Sequence, residues 1–153
     1  MTTLDLKIPP PAVALLAGLA MWATSQAGPS LALPLTVRVA AFSVIALIGG
    51  VIAFLGRAEL KRANTTANPF KPEDSSALVT TGIYRYTRNP MYVGLVFVLL
   101  GWAAFLASAW ALAGTVLFPL YINHFQIGPE EQVLSSRFGA PFDEYRSRVR
   151  RWL

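Results

Sequence analysis

Between residues 78 and 94 the chain reads LVTTGIYRYTRNPMYVG, which sets Tyr84, Arg85, Tyr86, Arg88, Asn89 and Tyr92 against the mouth of an apolar run. A polar tip so close to hydrocarbon must find a partner or carry a desolvation cost of about 2–7 kcal/mol. The cluster therefore reads either as the wall of a binding site or as an interfacial belt in which Tyr and Arg anchor a helix end at headgroup depth. A second polar group closes the last apolar run, where Asn123, His124 and Gln126 stand directly before Gly128, Pro129, Glu130 and Glu131. Polar residues at that depth face other helices or a water-filled cavity, not lipid. His124, the single histidine, reads as a proton carrier or as a structural interfacial residue. Glu130 and Glu131 also have two readings. They could serve a site, or they could follow Pro129 at a first helical position and complement the helix dipole, worth about 0.3–1 kcal/mol.

The elements that must position these residues are membrane helices. With 153 residues, 54% hydrophobic content, a mean hydropathy of +0.48 and only 14% charged residues, the chain is too apolar for an ordinary soluble domain. Runs 11–27, 39–56, 91–107 and 110–127 are nearly free of charge. A run of that length spans roughly 26 Å as a helix, workable for a bilayer with interfacial anchors such as Trp22, Trp102 and Trp110. The expected fold is all-α: a polytopic integral membrane protein with four transmembrane helices and a C-terminal amphipathic helical segment. A cleaved signal peptide is not expected, because Asp5, Lys7 and three prolines precede the first run in place of a basic region. The absence of cysteine excludes disulfides, thiolate metal sites and a cysteine nucleophile.

Net charge is +5, and its distribution explains it. Of the thirteen Lys and Arg residues, six lie between the second and third runs and five follow the fourth, whereas only Arg38 lies between the first two. The positive-inside rule then places both termini and the 57–89 loop in the cytoplasm, facing anionic lipid and not nucleic acid. Within that loop Pro69 and Pro72 restrict the chain, and Asp74 or Ser75 can cap a following turn. Gly49 and Gly50 permit close helix approach. Pro119 predicts a kink in the last crossing. Beyond it Val133, Leu134, Phe138, Phe142, Tyr145, Val149 and Trp152 recur near helical spacing around a break at Gly139 and Pro141, as amphipathic segments lying on the membrane or capping a cytoplasmic pocket.

LVTTGIYRYTRNPMYVG, followed by about two helices and then EEQVLSSRFGAPFDEYRSRVRRWL, resembles the isoprenylcysteine carboxyl methyltransferase and phospholipid methyltransferase superfamily. The shared pattern is an LVT-x-G-x-Y segment, an R-[HN]-P-x-Y-x-G turn, and a downstream Glu-Glu pair with FG-x-x-[FY]-x-x-Y. The upstream RANTTANPFKPEDSS is similar to bacterial members. The resemblance divides the chain into an N-terminal transmembrane hairpin, 1–56, matched in hydropathy alone, and a cofactor-binding core, 57–153. It implies S-adenosylmethionine in a pocket open to the cytoplasm. Ser76, Ala77, Leu78 and Val79 would line the cofactor through backbone contacts, Tyr84 and the turn of Asn89, Pro90, Met91 and Tyr92 would enclose it, and Glu130 would accept hydrogen bonds from its polar groups. Arg88, Gly94 and Glu131 match the pattern as positioning residues. Eukaryotic prenylcysteine enzymes carry His in place of Asn89 and Arg in place of Gln126, whereas phospholipid enzymes share NPMY as it stands here. The residue at Gln126 argues against a prenylcysteine substrate and leaves the cofactor untouched.

Methyl transfer needs alignment and exclusion of water, not a metal. A carboxylate acceptor is already anionic, whereas an amine must first lose a proton to a base such as His124 or a glutamate. His124, Gln126 and Glu131 are the candidate catalytic residues. The resulting expectation is a methyltransferase of the bacterial inner membrane acting on a lipid or lipidated acceptor, either an isoprenylcysteine-like carboxylate or a phospholipid amine. A membrane NADPH-dependent reductase related to the steroid reductases and a non-enzymatic membrane scaffold are the rivals.

Overall fold

The computed structural model describes residues 6–65 and 72–153, so expectations for Asp5, Pro69 and Lys71 fall outside the described residues. All regular elements among them are helical. Helix α1 spans Pro10–Ser25 and α2 Leu35–Arg62; α3 spans Pro90–Leu106, α4 Leu112–Ile122, α5 Gly128–Phe138 and α6 Ala140–Arg148. Short 3-10 turns at Pro72–Asp74, Gly82–Arg85 and Ala109–Ala111 punctuate the connections. Prolines open α1, α3 and α6, where the missing N–H has no intrahelical partner to lose.

Helix α3 is the central element, packed along α2 and against α1 and α4. Its buried side includes Tyr92, Leu99, Ala103 and Leu106, which join Met21 of α1 and Phe118 and Ile122 of α4 in one apolar core. Two glycines permit the α2–α3 approach. A Cβ on Gly49 would lie 2.5 Å from the Gly94 carbonyl oxygen, and a Cβ on Gly94 the same distance from that of Gly49. Gly50, the other glycine of the pair, faces open space.

The outer surfaces of α1, α2 and α4 are apolar, with Leu16, Leu19, Leu47, Phe54, Val116 and Leu117 all exposed. By length and composition α2, with 28 residues, is the one described helix long and apolar enough to cross a membrane by itself; α1 and α3 are shorter apolar helices. The fourth apolar run is α4 with its continuation, and it carries on through Pro119.

At the end of the bundle away from the polar clusters, Arg38 caps α3. Its Nε donates to the Phe105 carbonyl, and its guanidinium lies 5.1 Å over the Phe105 ring. Leu31 N–H donates to the Ala107 carbonyl beside it at 2.7 Å.

The sequence reads Pro129 as a helix start, and the structure differs. Backbone dihedrals stay right-handed helical through Asn123, Ile127 and Gly128, so α4 passes into α5 by way of a π-helical turn at Asn123–Ile127 with no free N-terminus between them. Pro129 has no N–H to give the carbonyl four residues back, that of Phe125. That carbonyl accepts instead from the Leu6 N–H at 3.1 Å. Glu130 and Glu131 therefore do not sit at the exposed positive end of a helix.

Candidate functional site

The ends of α2, α3 and α5 enclose a cavity together with the 75–79 segment, the Gly82–Arg85 turn and α6. Its empty space, counting the open mouth, is about 870 Å³.

The walls follow from local bonding. The Thr65 hydroxyl, just past α2, accepts from the Ser76 N–H at 3.0 Å and the Ala77 N–H at 3.3 Å, and the Ser76 hydroxyl donates to the Asn64 carbonyl at 3.0 Å. Those bonds lay residues 75–79 along the cavity in an open conformation. No hydrogen bond within the described chain engages the backbone of Leu78 or Val79, although Val79 is buried.

Tyr84 is held from two sides. Gly82, at φ +57°, lets the turn pass close to Glu59 of α2, where a Cβ would lie 2.6 Å from the carboxyl carbon, and the Thr81 hydroxyl donates to Glu59 Oε2 at 3.1 Å. From α6 the buried Tyr145 hydroxyl donates to the Tyr84 carbonyl at 2.8 Å. Burial raises the pKa of both phenols, so each stays protonated and Tyr145 remains a donor.

The two neighbouring glutamates have different environments. Glu130 Oε1 accepts from the Tyr92 hydroxyl at 2.6 Å and from Gln126 Nε2 at 2.5 Å, which leaves Oε2 as the remaining acceptor. Burial pushes its carboxyl up to about 7, against the two hydrogen bonds that favour the ionised form. Glu131 points about 100° away around the helix. Its Oε1 accepts from Arg88 Nη2 at 2.6 Å and Arg151 Nε at 3.1 Å, and its Oε2 from Arg151 Nη2 at 2.6 Å. Burial opposes ionisation there as well, but the bonds from Arg151 and Arg88 outweigh it and hold the carboxyl below its usual range.

Of the residues named from sequence, Ala77, Leu78, Val79, Tyr84, Arg88, Asn89, Pro90, Met91, Tyr92, Glu130 and Glu131 line this one cavity. Four do not line it: Gly94 packs against Gly49 and Ala53 of α2, and the other three are Ser76, Gln126 and His124. Ser76 is exposed and braces the segment, while its neighbour Ser75 is buried at the wall. Gln126 is buried behind Glu130. His124 is exposed, its ring edge-on to Phe125, and nothing brings it to the cavity.

Leu60, Thr65, Leu134, Phe142 and Tyr145 complete the lining, and Arg151 completes the Glu131 network. The helical spacing of Leu134, Phe142 and Tyr145 is the signal that finds three of them. These three side chains face the cavity, as the capping reading expects. Leu60 and Thr65 carry no motif, and Arg151 is one of several arginines in its stretch.

The chain belongs to the phospholipid methyltransferase family, whose pattern it matches over residues 36–141. It is 44% identical over 63 residues to an uncharacterized protein of Haemophilus influenzae, a match covering 41% of this chain and 100% of that one. It is 40% identical over 75 residues to protein-S-isoprenylcysteine O-methyltransferase of Schizosaccharomyces pombe, covering 47% of this chain and 30% of the relative. The same enzyme of Xenopus laevis is 30% identical over 112 residues, which are 69% of this chain and 39% of the relative. The chain thus spans well under two thirds of the length of these two methyltransferases. No solved structure matches it.

Proposed function

We propose that this protein is an integral membrane S-adenosylmethionine-dependent methyltransferase whose acceptor is a lipid or lipidated molecule, a carboxylate or a phospholipid amine. Residues 1–56 would form a membrane hairpin and 57–153 the cofactor-binding core. Helices α1 to α3 and the α4 run would be four crossings, with the cavity and both termini at the cytoplasmic face of a bacterial inner membrane. The exposed apolar surfaces of α1, α2 and α4 support the crossings, and the activities of the two methyltransferase relatives support the reaction.

The observation that carries the reading is the convergence on one cavity of the unpaired backbone of Leu78 and Val79, the 89–92 turn and Glu130, in a chain of this family. The residues present fit the cofactor. Leu60, Leu78, Met91, Leu134 and Phe142 offer apolar surface for a purine and a thioether chain, the free backbone groups offer an edge to pair, and Glu130 offers an anion. Among the described residues Glu130 has no cationic partner, so it suits an ammonium or ribose hydroxyls.

When bound, S-adenosylmethionine supplies a methyl group on a sulfonium centre for a nucleophilic oxygen or nitrogen. The chain's own part is to orient and to dehydrate. Glu130 would hold the polar end, Leu78 and Val79 would fix the planar end, and Tyr84, Tyr92 and Phe142 would exclude water from the line of attack. A carboxylate acceptor needs no base, which suits a cavity that His124 does not reach.

Titration of S-adenosylhomocysteine and NADPH into purified protein in nanodiscs tests the cofactor. The first should bind and, at a hundred times its Kd, stabilise the fold by about 2.7 kcal/mol. Methyl label carried into a lipid extract then tests the acceptor: base-labile label released as methanol marks a carboxyl ester and base-stable label an amine. Binding of NADPH with no response to S-adenosylhomocysteine overturns the proposal.

A further inference from the structure

Residues 86–89 carry no regular helix or strand, yet they aim Pro90, Met91 and Tyr92 at the cavity. Several of their donors meet one short segment. The Arg88 N–H donates to the Arg150 carbonyl at 3.0 Å, and the Thr87 hydroxyl and Asn89 Nδ2 donate to the Arg151 carbonyl at 3.2 and 2.9 Å. Arg88 Nη1 adds bonds to the carbonyls of Arg146, at 3.0 Å, and Val149. One N–H of the Asn89 amide is thereby committed to the chain, and the residue still lines the cavity.

The segment that receives these bonds is itself past the end of α6, with Val149 extended. Two side chains hold it: Arg151 grips Glu131 of α5 with two nitrogens, and Trp152 Nε1 donates to Asn123 Oδ1 at 3.1 Å. Arg88 meets the same Glu131 carboxylate, so the bonds close a ring from α5 through Arg151 to the 87–89 turn and back through Arg88. Each side of the ring adjoins a cavity wall, Glu130 on α5 and Pro90 on α3.

We infer that Arg151 is a positioning residue for the cofactor cavity, acting through Glu131 to hold the 149–152 segment against the 87–89 turn and so fix the distance between the α5 and α3 walls. This rests on the cofactor reading above. Arg88 remains on Glu131 when Arg151 is removed, so the carboxylate keeps a partner and the change loosens the turn without stranding a buried charge.

The test uses the full chain in nanodiscs with S-adenosylhomocysteine as the probe. Arg151→Ala should weaken binding about tenfold, the scale of one partly solvent-screened charge-assisted contact. It should also speed amide exchange at residues 86–89 in ligand-free protein. Arg151→Lys, with one charge and no fork, should recover part of the affinity. Arg150→Ala should change neither readout, since its side chain is exposed and only its carbonyl takes part. Glu131→Gln combined with Arg151→Ala should weaken binding less than the sum of the two single changes. Should Arg151→Ala fail to fold, Thr87→Val removes another tether of the same segment, at a residue outside the cavity lining, and should produce the same loosening. Wild-type affinity with unchanged exchange in Arg151→Ala, or equal losses in Arg150→Ala, overturns the inference. A wild-type protein that does not bind the probe overturns the cofactor reading instead, and the exchange measurement still decides the role of Arg151.

Discussion

Replacing Glu130 by glutamine separates a binding carboxylate from a helix cap, because the two roles predict opposite effects on stability. In the ligand-free protein burial raises the Glu130 carboxyl from 4.5 to about 7, so the folded state holds more protons than the unfolded state between those values. Stability from this group is fully present below pH 4.5 and is lost as the pH rises through 7; the shift corresponds to a cost on the order of 3 kcal/mol at pH 8. A glutamine amide at this position cannot ionise and removes that cost. Ligand-free Glu130→Gln should therefore be at least as stable as the wild type at pH 8, with the difference fading near pH 5.

Ligand binding should move the other way. Loss of a charge-assisted hydrogen bond weakens S-adenosylhomocysteine by about 1.5–3 kcal/mol, roughly ten- to hundredfold. In the wild type about one Glu130 in ten is ionised at pH 6 and about nine in ten at pH 8, so the affinity should be about tenfold weaker at pH 6. The variant should show a flat profile. Calorimetric titration at both pH values, with thermal unfolding of the ligand-free proteins, reads all three quantities. Unchanged affinity in Glu130→Gln, or a flat wild-type profile, would falsify the assignment of Glu130 to the site. A stability loss of up to about 1 kcal/mol with intact affinity would mark a cap instead.

Two further expectations concern the scaffold. Gly49→Ala should destabilise the protein by about 1–3 kcal/mol by forcing α2 from α3, whereas Gly50→Ala, facing open space, should stay within about 0.5 kcal/mol; unfolding of both in the same nanodiscs checks the contrast. With no native cysteine to interfere, single cysteines at the exposed positions Glu73, Ala109 and Ser147 report topology, and an impermeant thiol reagent on intact cells should label Ala109→Cys alone.

The helical layout was legible because apolar runs and helix breakers are local. The run 91–107 became Pro90–Leu106, the run 11–27 became Pro10–Ser25, and the break at Gly139 fell between α5 and α6. The junction at 123–129 was not legible. Pro129 followed by two glutamates has the composition of a helix start, and only the Leu6 N–H, far away in sequence, shows that the Phe125 carbonyl is satisfied without one. His124 looked like a site residue because it is the only histidine and sits beside Gln126, but nearby helical positions face different directions, and in a π-helical turn the usual spacing rules shift again. Arg151 is illegible in the sequence for a related reason. Its stretch contains Arg146, Arg148 and Arg150 as well, and composition cannot say which of four arginines reaches a buried carboxylate.

The same junction explains how two adjacent carboxylates come to differ. Because α4 continues into α5 without a break, Gln126 and Glu130 stand four residues apart along one helical path and meet, and Tyr92 completes the contact from α3. Glu131, one position on, is turned to the side where Arg88 and Arg151 arrive. Both arginines are thereby drawn to Glu131 and away from its neighbour. A lone arginine at Glu130 would lower its pKa and occupy the lone pairs that a cationic ligand needs. Neutral donors on one oxygen orient the carboxyl without neutralising it, so the cavity retains an anion whose charge is fully stabilised only when something positive enters. That division predicts what the neutral donors are for: Gln126→Ala removes one of the two hydrogen bonds that favour the ionised carboxylate and leaves Glu130 oriented by the Tyr92 hydroxyl alone. Calorimetric titration of S-adenosylhomocysteine into Gln126→Ala should therefore show weakened binding, and affinity equal to the wild type would refute the argument.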